Sequence, residues 1–277
     1  MVADVDARWT MAYAAGLDDL ASCYLDTRRA DGIVAHPLFP VCFEWPVALA
    51  ARAGLRSSLT SAEAARGVHA THHAVLHRAI RPPQRLATTA TLIGMERRRP
   101  GAYEIMRFET VDERGAPVTT TYYGSLYREV ELLGPDCPAA VPDVPQPPAV
   151  SFTARAEFPI PIAGGAAHVY TECARIWNPI HTDTAVAEKA GLPGLILHGT
   201  ATLALALSRI VASEAGGDPE RIAQVSGRFG AMVLMPSTVM LRIAAREKIN
   251  GSDVVHFEVL SGDGGRAIRD GVVMLRG

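Results

Sequence analysis

Long apolar runs are missing from this chain of 277 residues. The longest, such as Leu203 to Leu207, fall far short of the roughly 20 residues that a helix needs to cross a bilayer. An excess of one charge is missing too. The chain has 27 basic and 29 acidic residues, a formal net charge of −2, and its basic residues are scattered, so no nucleic-acid partner and no membrane partner is expected. The short run Arg97-Arg98-Arg99 reads as a solvated hairpin end in preference to a phosphate site. Cysteine is scarce. Cys23, Cys42, Cys137 and Cys173 fit no zinc spacing and are too few for a disulfide scaffold at this length. Free thiols in a reducing cytosol are the expectation. The opening Met1-Val2-Ala3-Asp4-Val5-Asp6 is acidic and has no signal-peptide core, which again predicts a soluble cytoplasmic protein. A glycine-rich phosphate loop, a nucleophile elbow and a dinucleotide fingerprint are all absent.

What is present is enough apolar sequence, 48%, for a sizeable core. Proline is concentrated in one place. Leu133 to Pro148 holds six prolines in sixteen residues. Proline fixes φ and cannot donate to a ladder, so this segment predicts an extended, semi-rigid linker between residues 1–132 and residues 149–277. The two halves follow one pattern. In the first, Trp45 to Gly54 reads as a helix, then Gln84 to Glu96, Ala102 to Val111 and Pro117 to Val130 read as strands. In the second, Thr200 to Ala215 is an apolar helix closed by Gly216-Gly217. Ile222 to Val233, Thr238 to Ile249, Val254 to Leu260 and Ala267 to Leu275 follow as strands. A helix followed by antiparallel strands, twice, is an α+β arrangement.

The chemistry is concentrated in Trp177-Asn178-Pro179-Ile180-His181-Thr182-Asp183 and Leu195-Ile196-Leu197-His198-Gly199. His181 is the natural general base, because an imidazole titrates near neutrality. Asn178, three residues upstream, can orient a water or fix the imidazole tautomer. Asp183 reads as the N-cap of a helix from Thr184 to Ala190. Seventeen residues separate His181 from Gly199, which opens the long helix. A helix N-terminus presents unpaired N–H groups with partial positive charge, which suits an oxyanion hole. His69, His72, His73 and His77 invite a metal reading, with His73 and His77 spaced for one helix face, but no carboxylates stand nearby and no metal site is expected. Trp45 and Trp177 read as pocket or core aromatics.

These residues resemble the signature of the MaoC-like (R)-specific enoyl-CoA hydratases and β-hydroxyacyl thioester dehydratases. That family carries Gly-Asp-x-Asn-Pro-x-His and then Ile-x-His-Gly; this chain has Arg175-Ile176-Trp177-Asn178-Pro179-Ile180-His181 and Ile196-Leu197-His198-Gly199. Val225-Ser226-Gly227-Arg228-Phe229, leading to Pro236, is similar to the family's later Arg-Phe…Pro strand. The resemblance implies a double hotdog, with a degenerate first hotdog, and hydratase or dehydratase chemistry on an acyl-CoA or acyl-carrier-protein thioester. It implies His181 as acid–base, Asn178 as the orienting residue and the Gly199 N–H as oxyanion donor. It further implies Ile176, Trp177, His198 and Arg228 around the substrate and no metal or redox cofactor; because paired hotdogs leave sheet edges exposed, a homodimer is the expectation. The chain departs from the pattern at one point: the family's catalytic aspartate falls at Ile176, and the glycine before it at Arg175. Three explanations stand open. Another acid (Glu172, Asp183 or Glu44) replaces the aspartate; His181 and Asn178 suffice for a less demanding step, as in a specialised lyase or cyclase of secondary metabolism; or the chain is a non-catalytic acyl-thioester-binding partner.

Overall fold

The first half runs β1 (Val2–Val5), α1 (Ala7–Gly16), the short α2 (Ser22–Leu25), the central α3 (Pro40–Leu55), and the short α4 (Ser61–Ala64). Four strands then follow: β2 (Gly67–Leu76), β3 (Gln84–Arg98), β4 (Gly101–Asp112) and β5 (Pro117–Arg128). The second half repeats the plan with β6 (Ala156–Ile162), α5 (Ala166–Ala174), a 3₁₀ turn at Pro179–His181, α6 (Thr184–Lys189) and the central α7 (Gly199–Glu214). It closes with β7 (Ile222–Phe229), β8 (Ser237–Ile243), β9 (Glu247–Ile249), β10 (Ser252–Leu260) and β11 (Arg266–Leu275). This is a computed structural model, and it describes residues 1–55, 59–145 and 152–276.

The strands form one sheet in the order β1-β3-β4-β5-β2-β7-β11-β10-β8-β6, with β9 paired to β10. The two halves join at β2 and β7, which pair antiparallel from Thr71↔Arg228 to Val75↔Gln224. A single core therefore runs through both. Leu38, Phe39 and Leu86 share it with Leu203, Leu207 and Ile210, all essentially inaccessible to solvent. Burying one such side chain is worth about 1.5–3 kcal/mol. Alanines at 201, 204 and 206 let α7 lie close to its neighbours. At the far side, Tyr13 of α1 meets Tyr170 of α5 with ring centroids 5.8 Å apart. The halves read from sequence as separate domains thus share both sheet and core.

The proline-rich segment is anchored where it leaves β5. Cys137 exchanges backbone hydrogen bonds with Met95 at 2.8 and 2.9 Å. Arg97 reaches the Asp136 carboxylate at 2.9 Å and the Leu132 carbonyl at 2.9 Å. The end of the expected linker, residues 146–148, lies outside the described residues. Other expectations are corrected. The segment around Glu172 and Ala174 forms helix α5, an element absent from the sequence reading. His73 sits on strand β2, with His77 just beyond it, so they share no helix face. The strand expected over Thr238 to Ile249 is interrupted after Ile243 and resumes as β9.

Candidate active site

α5 ends at Arg175, which takes the left-handed conformation at φ 58°. That geometry favours glycine, and it accounts for the glycine of the MaoC pattern at this position. Here an arginine tolerates it, with its guanidinium 4.0 Å above the Trp9 ring. The chain then runs to Asn178, which is extended at φ −132°. Ile176 turns inward, 5% exposed, and Trp177 turns outward, 60% exposed. Pro179 then opens the 3₁₀ turn that carries His181.

The His181 Nδ1–H donates to the Ile196 carbonyl at 2.8 Å. A carbonyl can only accept, so the tautomer is fixed and Nε2 keeps the lone pair. The ring stacks on His198, with centroids 3.7 Å apart and planes at 26°. Burial pushes both imidazoles below their ordinary range, His198 to about 2, where the neighbouring His181 adds to the effect. His198 Nε2 is hydrogen-bonded to the Thr171 hydroxyl at 3.3 Å. Its carbonyl accepts from Thr202 N at 3.0 Å as α7 begins. Gly199 is the first residue of α7, where backbone N–H groups have no intrahelical acceptor. A Cβ there would lie 2.9 Å from the Phe229 ring, so the glycine is what lets β7 pass so close.

These groups line one cavity of about 260 Å³ between the halves. Ile176, Asn178, His181, His198 and Gly199 come from the second half. Glu44, Trp45 and Arg52 of α3, His69 and His72 of β2, and Tyr123 of β5 come from the first. A register shift between His69 and Thr71 lets both histidines reach the cavity from one strand. His69 stacks on Tyr123 at 3.6 Å, and Arg52 lies 5.1 Å over the same Tyr123 ring while donating to Ser125 Oγ at 3.1 Å. Glu44 is 3% exposed and accepts a 2.6 Å hydrogen bond from the Thr121 hydroxyl. Burial pushes its carboxyl up to about 7, the Thr121 bond partly opposing. Among the described residues no three His, Cys, Asp or Glu side chains gather as a metal site.

Of the residues singled out in the sequence, Asn178, His181, His198, Gly199 and Ile176 come together in this wall. Trp177 and Arg228 do not. Trp177 points to solvent, and Arg228 is exposed, 3.4 Å from the Asp270 carboxylate. Asp183 caps α6, accepting from Ala185 N and Val186 N, and Glu172 is exposed on α5. The sequence reading missed Arg52 and Tyr123 altogether. It weighed His69 and His72 only as metal ligands, although their crowding within four residues was the visible signal.

Comparison with known proteins agrees with this geometry. Residues 149–263 match the MaoC like domain, and residues 3–121 match the FAS1-like dehydratase domain region. The peroxisomal enoyl-CoA hydratase 2 of Arabidopsis thaliana is 39% identical over 64 residues, which is 23% of this chain and 21% of that one. A fatty acid synthase beta subunit of Emericella nidulans is 32% identical over 82 residues, 30% of this chain and 4% of that one. The matched segments thus span 21% and 4% of these relatives' own length. A MaoC-like dehydratase from Phytophthora capsici superposes with a TM-score of 0.84 at 18% identity, covering 99% of this chain and 93% of that one. Full-length peroxisomal multifunctional enzyme type 2 from Drosophila melanogaster gives 0.76 at 20% identity, covering 100% and 48%. A Mycobacterium tuberculosis protein described as having a double hotdog fold gives 0.59 at 16% identity, covering 99% and 95%. Residues 149–263 thus carry a MaoC like domain and residues 3–121 a FAS1-like dehydratase domain region, and together the two halves build the double-hotdog fold of the MaoC-like structures.

Proposed function

We propose that this protein hydrates the α,β double bond of an enoyl thioester, or removes water from the 3-hydroxyacyl thioester, on CoA or an acyl carrier protein. One observation carries the reading. His181 is held by its Nδ1–H on the Ile196 carbonyl, in the wall of the cavity that Gly199 and the start of α7 also line. The thioester oxygen accepts the Gly199 N–H, and the helix N-terminus favours the negative charge that grows there in the enolate. The lone pair on His181 Nε2 takes the α-proton in dehydration and returns it in hydration. The Asn178 amide, beside it in the wall, holds the hydroxyl that leaves or the water that adds. Ile176 and Trp45 give that wall apolar surface for the acyl chain.

The experiment is an incubation with trans-2-enoyl-CoA and 3-hydroxyacyl-CoA thioesters of graded chain length, followed by enoyl absorbance. Turnover is expected, with kcat lower by about 10²–10⁴-fold in His181→Ala, the size of one general acid–base group. Full activity in that variant would contradict the assignment. The reading extends to a cytoplasmic homodimer. Support for the compartment is that all four cysteines are free thiols, and support for the dimer is the open edge that β1 leaves at one end of the sheet. No helix among the described residues is long and apolar enough to cross a membrane.

A further inference from the structure

Dehydration needs two proton transfers, and the His181 imidazole supplies one of them. The hydroxyl that leaves must also gain a proton, and Ile176, at the position of the pattern's aspartate, has none to give. Among the described residues Glu44 is the one carboxyl in the cavity wall. It belongs to neither motif segment and reaches the cavity from the other half of the chain. α3 brings it there. His36, just before α3, is tied to Ser208 of α7 by a 3.2 Å hydrogen bond, which holds the approach to α3 against α7. Glu44 follows a little over one turn into α3 and shares the wall with Ile176 and with Thr202 of α7.

Its surroundings are those of a proton donor and not of a structural anion. A buried carboxylate kept for stability is paired with a cation. Among the described residues Glu44 forms no ion pair, and the bond it accepts comes from the neutral Thr121 hydroxyl. Thr121 is itself fully buried, which fixes one carboxyl oxygen and leaves the other for the cavity. Burial without a cation favours the protonated form at neutral pH.

We propose that Glu44 is the second acid–base group of this site, standing in for the aspartate that the MaoC pattern places at Ile176. In dehydration His181 Nε2 removes the α-proton. The electron pair of that C–H bond becomes the α,β double bond, the β-carbon–oxygen bond breaks, and the departing oxygen takes the Glu44 proton and leaves as water. His181 is then protonated and Glu44 ionised, and one proton exchanged between them through solvent restores the start. Hydration is the reverse. Both directions use the state in which the pair holds a single proton, so both share one bell-shaped pH profile. Its acid limb follows His181, below the ordinary imidazole value. Its alkaline limb follows Glu44, near 7. The other titratable groups that line the cavity with Glu44 and His181 are Arg52 on α3, His69 and His72 on β2, Tyr123 on β5, and His198; Cys42, off the cavity wall, is the one close to Glu44 on its own helix.

This inference rests on the hydratase/dehydratase reading, and the test separates the two. Wild-type protein, Glu44→Gln, Glu44→Gln combined with Ile176→Asp, and Thr121→Val are assayed with an enoyl-CoA that the wild type turns over, from pH 5 to 9, with thermal melts to check folding. Glu44→Gln is expected to lower kcat by about 10²–10³-fold with KM within a few-fold, and to abolish the alkaline limb in what activity remains. Ile176→Asp is expected to restore at least tenfold of that loss. Thr121→Val keeps the carboxyl but removes a bond that favours its ionised form, so the alkaline limb moves to higher pH. Wild-type turnover that is lost in His181→Ala but kept in Glu44→Gln overturns this proposal and leaves the hydratase reading standing. An unmoved alkaline limb in Thr121→Val also overturns it. Absence of wild-type turnover on every thioester overturns both.

Discussion

At the scale of the residue, the site depends on how closely β7 approaches the start of α7. Gly199 makes this possible, since a Cβ would stand 2.9 Å from Phe229 Cδ1 and 3.1 Å from Cε1. The Phe229 ring is already 4.7 Å from the His69 ring, so it has little room to retreat. Gly199→Ala is therefore expected to displace the first turn of α7 or the Phe229 ring by a fraction of an ångström. Since small displacements of positioned groups cost up to about 10²-fold in rate, kcat should fall by about 10–10²-fold. Steady-state kinetics beside a thermal melt checks this; full kcat in a normally folded variant would mean that the Gly199 N–H is not the oxyanion donor. The same residues show what could be read in advance. Asn178, His181, His198 and Gly199 were legible because each lies within a short motif whose spacing is local. Trp177 was misplaced because the chain is extended here, and neighbours in extended chain face opposite ways. Ile176 and Asn178 go inward, so Trp177 goes out. Arg228 failed for the same reason: Phe229 faces the cavity, and its neighbour faces Asp270.

At the scale of the element, the two central helices and most strands could be read from periodicity. α5 could not, because its short Ala-rich pattern ends in a left-handed Arg175, where helices more often stop at glycine. Arg52, His69 and Tyr123 were hidden by topology: β2 lies between β5 and β7, and nothing in a single strand announces its partners. Edge strand β6 shows the opposite case. Pro159 and Pro161 are two residues apart, so their missing N–H groups fall on one side. With β8 paired on the other side, they blunt the open edge. Inside the sheet, Gly124 of β5 lies beneath a 2.6 Å hydrogen bond that joins Thr71 of β2 to Tyr103 of β4 across it. A Cβ at 124 would come within 2.1 Å of the Tyr103 hydroxyl and 2.2 Å of Thr71 Oγ1. Gly124→Ala must open that bond or shift a strand, and overpacking of this kind costs about 1–3 kcal/mol. A denaturant titration is expected to show the loss as a lower midpoint with an unchanged slope; an unchanged midpoint would mean that the three strands adjust freely.

At the scale of the whole molecule, one core shared by two halves encloses many imidazoles. His36, His72 and His198 are each at most 3% exposed, and burial holds them at about 3, 3 and 2. His69 is also held well below the ordinary value. The folded state therefore binds fewer protons than the unfolded chain, whose histidines titrate near 6.5. Stability contributed by these groups is full above that value and is lost as pH falls below it. At pH 5 each of the three costs about 2 kcal/mol, roughly 1.4 kcal/mol per pH unit below 6.5. Glu44 acts in the other direction: its carboxyl is raised from 4.5 to about 7, so the folded state gains a proton first and is favoured as pH falls through that window. One carboxyl regains about 2–3 kcal/mol against about 6 kcal/mol lost, so the balance is a net loss that is large beside a typical total of 5–15 kcal/mol. The melting temperature is expected to fall steadily from pH 7 to pH 5, with cooperative unfolding before pH 4. His36→Gln isolates one contribution, because His36 lies outside the cavity wall, accepting from Leu38 N at 3.1 Å and bonded to Ser208. Its melts should be lower at pH 7 and less steep in pH by about one proton below pH 6. A melting temperature flat between pH 7 and 5 would mean that the buried imidazoles titrate normally, and that the two halves part readily enough to admit water to the seam where β2 meets β7.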